Sequence, residues 1–493
     1  MTMQAPLVSQ LRFRCWCGTS SGSLRPQKVT VRRKGSSPAA VQVAALATQP
    51  SLQSQQLCSW AQSLSWSPQP SSPSPDDSSA SPALWLQRDA RRGEGLITVP
   101  CSLWITLGTV RRSQIGPHVD GLEPWLQLAL FLLHERAMQE AGKAAGAPFT
   151  GYIMSLPQEP LLPLVWREEE LGWLDGTQLL DTLAGYRQFF EGRHEELQES
   201  LFSQQPGLFP SEDACSFQSF LWAAAMVRSR VHAPLEQQRI ALVPLADLVQ
   251  HRRGEEQEWV VKGRGASESL EIRAGRPHTA GETVAMDFGI GKTDSQVALD
   301  YGCFDDTTRG PGFLLPLELP EEDRNFDDKA DIVELSGLGV SQQFTLSSQE
   351  DPSTELLAFL RLMNLRGADS FLLEALFRNE AWGFMQMPVS EPNEKAVYDS
   401  MIEGCREAMA GRPALGQEYA ALKRAEPGSR QELAYQVRVS ELEALQHTLD
   451  FFQQRMAKLD KLEYYQERRL KGLGLLDDNG INTYDDFFKD SIA

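Results

Sequence analysis

Four side chains in the middle of the sequence have groups that could orient an amine and hold a polar ligand. Asp247 and His251 are four residues apart and follow the apolar run IALVPLA, so both could lie at one end of a strand. Tyr301 ends the segment QVALDYG, and Arg230 lies in VRSRV. Taken alone, each has an ordinary structural explanation: a surface histidine, a core tyrosine whose hydroxyl contacts a carbonyl, an arginine in an ion pair. Their chemistry depends on whether the fold brings them together.

These residues belong to a predicted α+β domain of short strands with a helical insertion. From Leu84 to Ile105, two short apolar runs surround a polar Arg-Arg-Gly-Glu-Gly turn, which predicts a hairpin-like pair of strands. Apolar residues then recur at intervals of three and four from Gly121 to about Leu201, and CSFQSFLWAAAMVRSRV predicts a further helix. A strand, a Gly-Glu turn and a second strand follow. We therefore predict one mixed domain over residues 76–310, with its helical insertion at about 121–225.

Beyond residue 310, the sequence predicts an all-α domain that continues to residue 493. The last long helical segment begins with a capping box, Ser429 to Glu432, and ends at Gly472. Unbroken, its roughly 43 residues would make a helix of about 65 Å, so a bend or a docked hairpin is an open alternative. Its apolar stripe predicts core packing rather than a partner seam. The stripe consists of Leu442, Leu449, Phe452, Met456 and Leu459.

Residues 1–75 have the composition of an organelle transit peptide. They contain no Asp or Glu and carry seven basic residues among many Ser, Gln and Pro. An ordinary disordered tail is the alternative. Residues 35–82 are rich in Ser, Pro, Ala and Gln, which predicts a disordered linker with order beginning near Leu84. The composition indicates a plastid or a mitochondrial location.

Charge and cysteine spacing argue against several classes of protein. Removal of the seven basic leader residues changes the formal net charge from −19 to −26, and such an acidic chain is unsuited to nucleic acid, which needs clustered Lys and Arg. The longest strongly apolar run, WLQLALFLL, is too short to cross a bilayer. The cysteines after the leader show no Cys-x-x-Cys spacing, so no zinc site, no other metal and no disulfide framework is predicted. They are Cys101, Cys215, Cys303 and Cys405.

In their order along the chain, several segments resemble one family closely. It is the family of plastid SET-domain protein-lysine methyltransferases that modify the large subunit of ribulose bisphosphate carboxylase/oxygenase (Rubisco) and fructose-bisphosphate aldolase. The resemblance runs from about Leu84 to Leu476. Matching segments include RDARRGEGLITVPCSLWI, GYIMSLPQE, FLWAAAMVRSRV, VPLADLVQH, KTDSQVALDYG, LLAFLRLMNLRGADSFLLEALFRNEAWG and EYYQERRLKGLGL. It implies S-adenosylmethionine as cofactor, a folded stromal protein as substrate, a C-terminal substrate-binding domain and a chloroplast location.

Methyl transfer to lysine is an in-line displacement, so such an enzyme mainly aligns a neutral amine with a sulfonium carbon in a dry channel. The resemblance assigns residues of this chain to the parts of that site. For the cofactor they are Ala80, Ser81, Pro82, Gln250 and His251; for the substrate lysine Arg230, Asp247, Trp259 and Tyr301; and for catalysis Tyr301 and Phe288.

Several of these positions depart from the family pattern and keep a second function open. Ser81, Pro82 and Ala83 align with a Gly-x-Gly cofactor turn, where they add side chains and a proline ring. Phe288 stands where the family has its catalytic tyrosine and lacks the hydroxyl. The other departures are Gln250 for an asparagine, His232 and Cys303 for aromatic residues, and Pro234 for an arginine. The alternative is a catalytically weakened protein that binds a stromal protein without methylating it; an assembly or scaffold protein using its long helices is a third reading.

Overall fold

Two hydrophobic cores organise the chain. The computed structural model describes residues 83–143, 148–232, 240–374 and 382–476, with Leu57, Trp60 and the backbone of residues 71–73. The first core contains buried residues from Leu57 to Leu299, together with Leu433, Ala434 and Val437. The second core extends from Leu315 to Phe452. No helix among these residues is both long and apolar enough to span a bilayer.

Short strands form small sheets around the first core. In the described part of the chain they are β1 (Ser71–Pro73), β2 (Leu84–Leu86), β3 (Gly95–Pro100), β4 (Ile105–Thr106), β5 (Val231–His232), β6 (Ala241–Leu242), β7 (Gln250–His251), β8 (Glu258–Lys262), β9 (Ser269–Arg273) and β10 (Ala285–Met286). One sheet has the order β3-β9-β8 and another the order β4-β6-β5. β9 alternates in burial, so Leu270 and Ile272 enter the core while their neighbours face outward.

The predicted hairpin between Leu84 and Ile105 is wrong. β2 pairs with β1, whereas β3 pairs with β9, with Pro100 opposite Ser269 and Gly95 opposite Arg273. β4 pairs with β6. The turn residues between the two apolar runs are correctly predicted, but a turn does not fix the partner of a strand when a distant segment offers a better apolar face.

Part of the predicted linker, residues 35–82, is packed on the first core. Leu57 is 2% exposed and Trp60 is 9% exposed, and Trp60 Nε1 donates a 2.7 Å hydrogen bond to the Pro148 carbonyl. β1 lies in the same segment. Composition averages over these few apolar residues, which is why the linker prediction misses them. The other residues of the predicted linker and leader lie outside the described part of the chain.

Helices cover the first core between β4 and β5. They are α1 (Leu107–Arg112), α2 (Gly116–Val119), α3 (Pro124–Glu140), α4 (Thr150–Ser155), α5 (Glu168–Leu171), α6 (Gln178–Leu197) and α7 (Phe217–Arg230), and α8 (Asp294–Tyr301) follows β10. Every residue of α3 from Leu126 to Leu133 is buried, as expected for a helix surrounded by core. α3 packs on α7, whose first turn is capped by the Ser216 hydroxyl. The insertion is therefore helical, as predicted.

The second core is mainly helical. Its helices are α9 (Phe326–Leu335), α10 (Thr354–Met363), α11 (Trp382–Met385), α12 (Glu391–Met409), α13 (Leu415–Leu422), α14 (Arg430–Met456) and α15 (Tyr465–Gly472). The structure adds an antiparallel pair of strands to the predicted helices, β11 (Phe313–Glu318) and β12 (Ser341–Leu346). The proposed domain limits, 76–310 and 311–493, stay predictions.

The long C-terminal helical segment is interrupted, which was one of the open alternatives. α14 begins after Ser429, whose side chain accepts from the Glu432 backbone N–H as predicted. The other half of the predicted capping box is not formed, because the Glu432 carboxylate accepts from the Gly428 N–H instead of the Ser429 N–H. It ends at Met456, a short 3-10 turn follows, and α15 is a separate helix. The predicted apolar stripe is core. Leu442, Leu449 and Phe452 are buried, and Met456 and Leu459 pack against the second core.

Candidate active site

A parallel strand pair places His251 beside Phe288. Met286 in β10 lies opposite His251 in β7, and the Phe288 backbone N–H donates to His251 Nδ1 at 3.1 Å. Because Nδ1 accepts this bond, the proton of the neutral ring is on Nε2. Burial lowers the pKa of His251, which favours that neutral ring. Nε2 is buried and has no hydrogen-bond partner among the residues that the structure describes, so its proton is available to a ligand.

Three aromatic rings form one wall of the site. The Phe288 ring stacks on His251 with a centroid separation of 5.8 Å and an angle of 25°. On its other side it lies 5.2 Å from the Tyr301 ring. Phe288 therefore supplies an apolar surface between the imidazole and the phenol, and it offers no hydroxyl there.

Tyr301 is the last residue of α8 and is held by a lysine. Gly302 caps the C-terminus of the helix and has a positive φ of 65°. A Cβ at this position would lie 2.7 Å from the Leu162 backbone nitrogen, so glycine is required. Lys292 Nζ donates to the Tyr301 hydroxyl at 3.2 Å and to Asp300 Oδ2 at 2.6 Å. Burial opposes the charge of Lys292, but Asp300 and Tyr301 together raise its pKa. Since the Tyr301 oxygen accepts from Lys292, its own proton can be donated elsewhere.

Asp247 is a buried carboxylate with one satisfied and one free oxygen. Its side chain is 1% exposed, and the Tyr152 hydroxyl donates to Oδ2 at 2.7 Å. Arg230 Nε lies 3.6 Å from the same oxygen. Oδ1 is buried without a hydrogen-bond partner in the described ranges. Burial raises the pKa of Asp247, and Arg230 and the Tyr152 hydrogen bond oppose this shift only in part.

The backbone before Asp247 is strained. Leu245 has a φ of 73°, and among the described residues it is the only one other than glycine with a positive φ. With a ψ of −42°, this sparsely populated conformation costs about 1–3 kcal/mol. Leu245 is fully buried, and the 3-10 turn Ala246–Leu248 that it starts carries Asp247. The surrounding core therefore imposes this turn, as is common at functional sites.

Two arginines near the end of α7 support both sides of the site. Arg228 Nε donates to Asp300 Oδ1 at 3.0 Å, and its guanidinium also contacts the Tyr186 hydroxyl at 3.2 Å. Arg230, two residues later, lies beside Asp247. One helix end thus positions the Asp300 carboxylate that binds Lys292 and also the Asp247 carboxylate.

Trp259 in β8 contacts His232 in β5. Their ring centroids are 5.9 Å apart and nearly perpendicular, at 86°. Burial lowers the pKa of His232 to about 4, so the ring is neutral near pH 7. Burial also raises the pKa of the Cys303 thiol to about 12, which leaves it protonated. His232 and Cys303, which replace aromatic residues of the family, are therefore both uncharged.

The structure brings five of the ten predicted site residues into two contacting groups. Asp247 contacts Arg230, whereas His251, Phe288 and Tyr301 form a continuous stack. Gln250 precedes His251 in β7 and lies opposite Ala285. Ala80, Ser81, Pro82 and Pro234 lie outside the described residues. The sequence prediction did not single out Tyr152, Arg228, Lys292 or Asp300.

The free polar atoms fit a polar ligand. His251 Nε2 can donate and Asp247 Oδ1 can accept, and both are buried without protein partners in the described part of the chain. Leaving a buried polar group unpaired costs about 1–3 kcal/mol, so each of these two atoms would be stabilised by a bound molecule. The described residues contain no cluster of three or more His, Cys, Asp and Glu side chains that could hold a metal ion.

Comparison with known proteins decides the family. Residues 320–445 match the family described as Rubisco LSMT substrate-binding. The chain is 35% identical over 404 residues to the chloroplastic [fructose-bisphosphate aldolase]-lysine N-methyltransferase of Arabidopsis thaliana, covering 80% of this chain and 82% of the relative. The chain belongs to the family of SET-domain protein-lysine N-methyltransferases. It is also 34% identical over 400 residues to the chloroplastic Rubisco large subunit N-methyltransferase of Pisum sativum, covering 80% of each protein.

A solved structure of the same family has the same fold. The crystal structure of the SET domain of LSMT bound to lysine and AdoHcy is 32% identical, with a TM-score of 0.71, and the match covers 87% of this chain and 98% of that one. The predicted SET fold with its C-terminal substrate-binding domain, the methyltransferase class and S-adenosylmethionine as cofactor are confirmed. The alternative of a non-catalytic binding module is not favoured. Since both relatives are named chloroplastic, a plastid location is supported.

Proposed function

We propose that this SET-domain methyltransferase modifies a lysine of a folded protein of the plastid stroma, either the large subunit of Rubisco or fructose-bisphosphate aldolase. The observation that carries this proposal is the buried Asp247 carboxylate, which has one oxygen fixed by Tyr152 and the other without a hydrogen-bond partner among the described residues. A fixed acceptor of this kind suits a neutral amine that must be aimed at an electrophile. The names of the two relatives support these two substrates.

Four residues orient the substrate lysine. Asp247 Oδ1 accepts a hydrogen bond from the amine, and Arg230 holds the carboxylate from its other side. Tyr301 directs its free hydroxyl proton into the same site, because Lys292 already occupies one acceptor position of its oxygen. Trp259 lines the channel for the apolar stem of the lysine. Tyr301 and Phe288 supply the ring surfaces that exclude water from the reacting atoms.

The cofactor is held at β7 in this proposal. His251 donates from Nε2, and Gln250 offers its amide from the same strand. The family resemblance adds Ala80, Ser81 and Pro82, which lie outside the described residues. Bound S-adenosylmethionine supplies the methyl group on its sulfonium sulfur. Because burial lowers the pKa of His251, its neutral ring would add no positive charge to a site that takes a positively charged cofactor.

The rest of the chain has two further roles in this proposal. Residues 311–493 dock the folded substrate protein, and residues 76–310 carry the methyltransferase site. Residues 1–75 direct the chain to the chloroplast as a transit peptide. The acid-free composition of that segment supports the last role.

Calorimetric titration with S-adenosylmethionine and a labelled-methyl assay on both candidate substrates test this function. We expect micromolar binding and transfer of label to one lysine-containing peptide of Rubisco large subunit or aldolase. Asp247→Asn should retain cofactor binding and lose transfer, and His251→Ala should weaken binding. Binding without transfer to either protein would favour the catalytically weakened binding module. A folded protein that does not bind the cofactor would contradict the proposal.

A further inference from the structure

Arg253, two residues after His251, joins three segments around the site. Its side chain is 9% exposed. Nη1 donates to the Gly289 carbonyl at 3.1 Å, and Nη2 donates to the Lys292 carbonyl at 3.2 Å. The Arg253 backbone N–H donates to Asp305 Oδ2 at 2.7 Å. The guanidinium therefore holds both ends of residues 289–292, which we call the 289–292 turn.

Two glycines leave the space that this guanidinium fills. A Cβ on Gly310 would lie 2.2 Å from Arg253 Cζ, which is far inside contact distance. A Cβ on Gly289 would lie 2.9 Å from Arg253 Nη1 and 3.1 Å from His251 Cε1. The arginine thus packs directly between the segments before α8 and after it, next to the cofactor histidine.

Asp294 connects Arg253 to the C-terminal helix α14. Arg253 Nη2 donates to Asp294 Oδ1 at 2.8 Å, and Ser440 Oγ of α14 donates to Asp294 Oδ2 at 2.7 Å. The adjacent Ser295 hydroxyl donates to Glu441 Oε1, also of α14, at 2.9 Å. The 289–292 turn is therefore fixed on one side by Arg253 and, through Asp294, by the second domain.

We infer that Arg253 is a positioning residue that fixes the 289–292 turn and, through it, the Phe288 and Tyr301 rings of the site. The turn begins directly after Phe288 and ends at Lys292, whose Nζ contacts the Tyr301 hydroxyl. A shift of the turn would move the Phe288 ring and withdraw the lysine from Tyr301. The effect on methyl transfer rests on the proposed function; the effect on the turn does not.

Hydrogen exchange of the 289–292 turn tests the structural part. Lys292 N–H bonds to the Gly289 carbonyl at 2.9 Å, so its exchange reports opening of the turn. Arg253→Met should accelerate this exchange by at least ~10-fold. Arg252→Met is the matched control, because Arg252 is 38% exposed and pairs only with Glu255 among the described residues. Equal exchange in Arg253→Met and the parent protein would overturn the inference.

A second variant moves the guanidinium without removing it. Gly310→Ala places a methyl group against Arg253 and should also accelerate exchange in the turn. Gly207→Ala is its control, since nothing lies within 4 Å of a Cβ at Gly207. This pair decides the question if Arg253→Met does not fold. Unchanged exchange in folded Gly310→Ala would contradict the role of Arg253.

Kinetics separate a positioning role from a merely structural one. Arg253→Met should lower kcat by ~10-fold and weaken S-adenosylmethionine binding. Arg253→Lys should have a kcat and a cofactor affinity between those of Arg253→Met and the parent, because lysine cannot form both hydrogen bonds of the guanidinium. Faster exchange with kcat, KM and cofactor binding unchanged would make Arg253 structural only and overturn the inference. A parent protein without cofactor binding or transfer would instead contradict the proposed function, while exchange would still decide whether Arg253 fixes the turn.

Discussion

The Tyr152 hydroxyl and the Asp247 carboxylate share a 2.7 Å hydrogen bond that joins helix α4 to the turn after β6. This bond occupies Oδ2 and leaves Oδ1 as the acceptor for a ligand. It also fixes the plane of the carboxylate, because Arg230 lies against the same oxygen. The orientation of the proposed amine acceptor therefore depends on a tyrosine that is remote in sequence.

Tyr152→Phe should lower methyl transfer by ~10-fold or more, because a hydrogen bond to a charged group contributes about 1.5–3 kcal/mol. The reduction should appear in kcat, measured with saturating cofactor. Tyr464→Phe is the control, since its hydroxyl bonds only to the Leu459 carbonyl among the described residues. Equal turnover of Tyr152→Phe and the parent protein would exclude this role.

Tyr301→Phe should reduce methyl transfer by at least ~10-fold with the fold intact, because one oriented hydrogen bond is lost. Lys292 would also lose an acceptor, although Asp300 still holds it. Steady-state kinetics measures the reduction in methyl transfer, and a circular dichroism spectrum checks that the fold is intact. A variant that turns over like the parent would show that the hydroxyl does not orient the lysine.

Phe288→Tyr should raise the rate of methyl transfer. The substitution restores a hydroxyl on a ring that already lies between His251 and Tyr301. Single-turnover rates with the same substrate protein provide the comparison. If the variant is no faster than the parent, Gln250 or the segment at Ala80, Ser81 and Pro82 limits the rate instead.

The pH dependence of the free energy of unfolding should reveal the burial of Asp247. Because burial raises its pKa above the ordinary 3.8, the folded protein retains a proton that the unfolded chain releases. The free energy of unfolding of the parent therefore falls as the pH rises above 3.8 through the folded-state pKa. Asp247→Asn cannot ionise, so its melting temperature should increase relative to the parent across that window. Asp399→Asn, a change at a half-exposed ion pair, should show no such trend.

In the second domain, Arg361→Met should destabilise the fold by about 3–5 kcal/mol. Arg361 and Glu394 are 1% and 0% exposed, so the variant would leave a buried carboxylate without its charged partner. Lys395→Met breaks an exposed pair with Asp399 and should cost less than about 1 kcal/mol. Denaturant unfolding of both variants measures the difference, and equal losses would contradict this account of the buried pair.

Local signals in the sequence predicted local structure well. The start of α14 follows from Ser429, since an N-cap involves only neighbouring residues. The helix that ends at Tyr301 was not predicted. Asp247 and His251 were expected at one end of a single strand, whereas Asp247 lies in a 3-10 turn after β6 and His251 lies in the separate strand β7. The partner of β3 could not be predicted, because β9 is more than a hundred residues away and the intervening turn resembles a hairpin.

Long sequence separation explains why two of the site residues, Tyr152 and Arg228, were missed. Tyr152 is separated from Asp247 by 95 residues, and Arg228 is separated from Asp300 by 72 residues. No periodicity connects such pairs. Tyr152 does lie in GYIMSLPQE, one of the segments that match the family. Arg228 is two residues before the predicted Arg230. Both residues therefore lie in or next to sequence features that had already been noted.

Helix α14 contributes Leu433, Ala434 and Val437 to the first core and Leu445, Leu449 and Phe452 to the second. The two domains are thus not exchangeable modules. A chain cut at residue 310 would lack the part of the first core that α14 supplies. If this C-terminal domain were grafted onto another methyltransferase, that protein would need an apolar surface complementary to the first half of α14. Any change of substrate preference by recombination must therefore keep this helix with the catalytic domain.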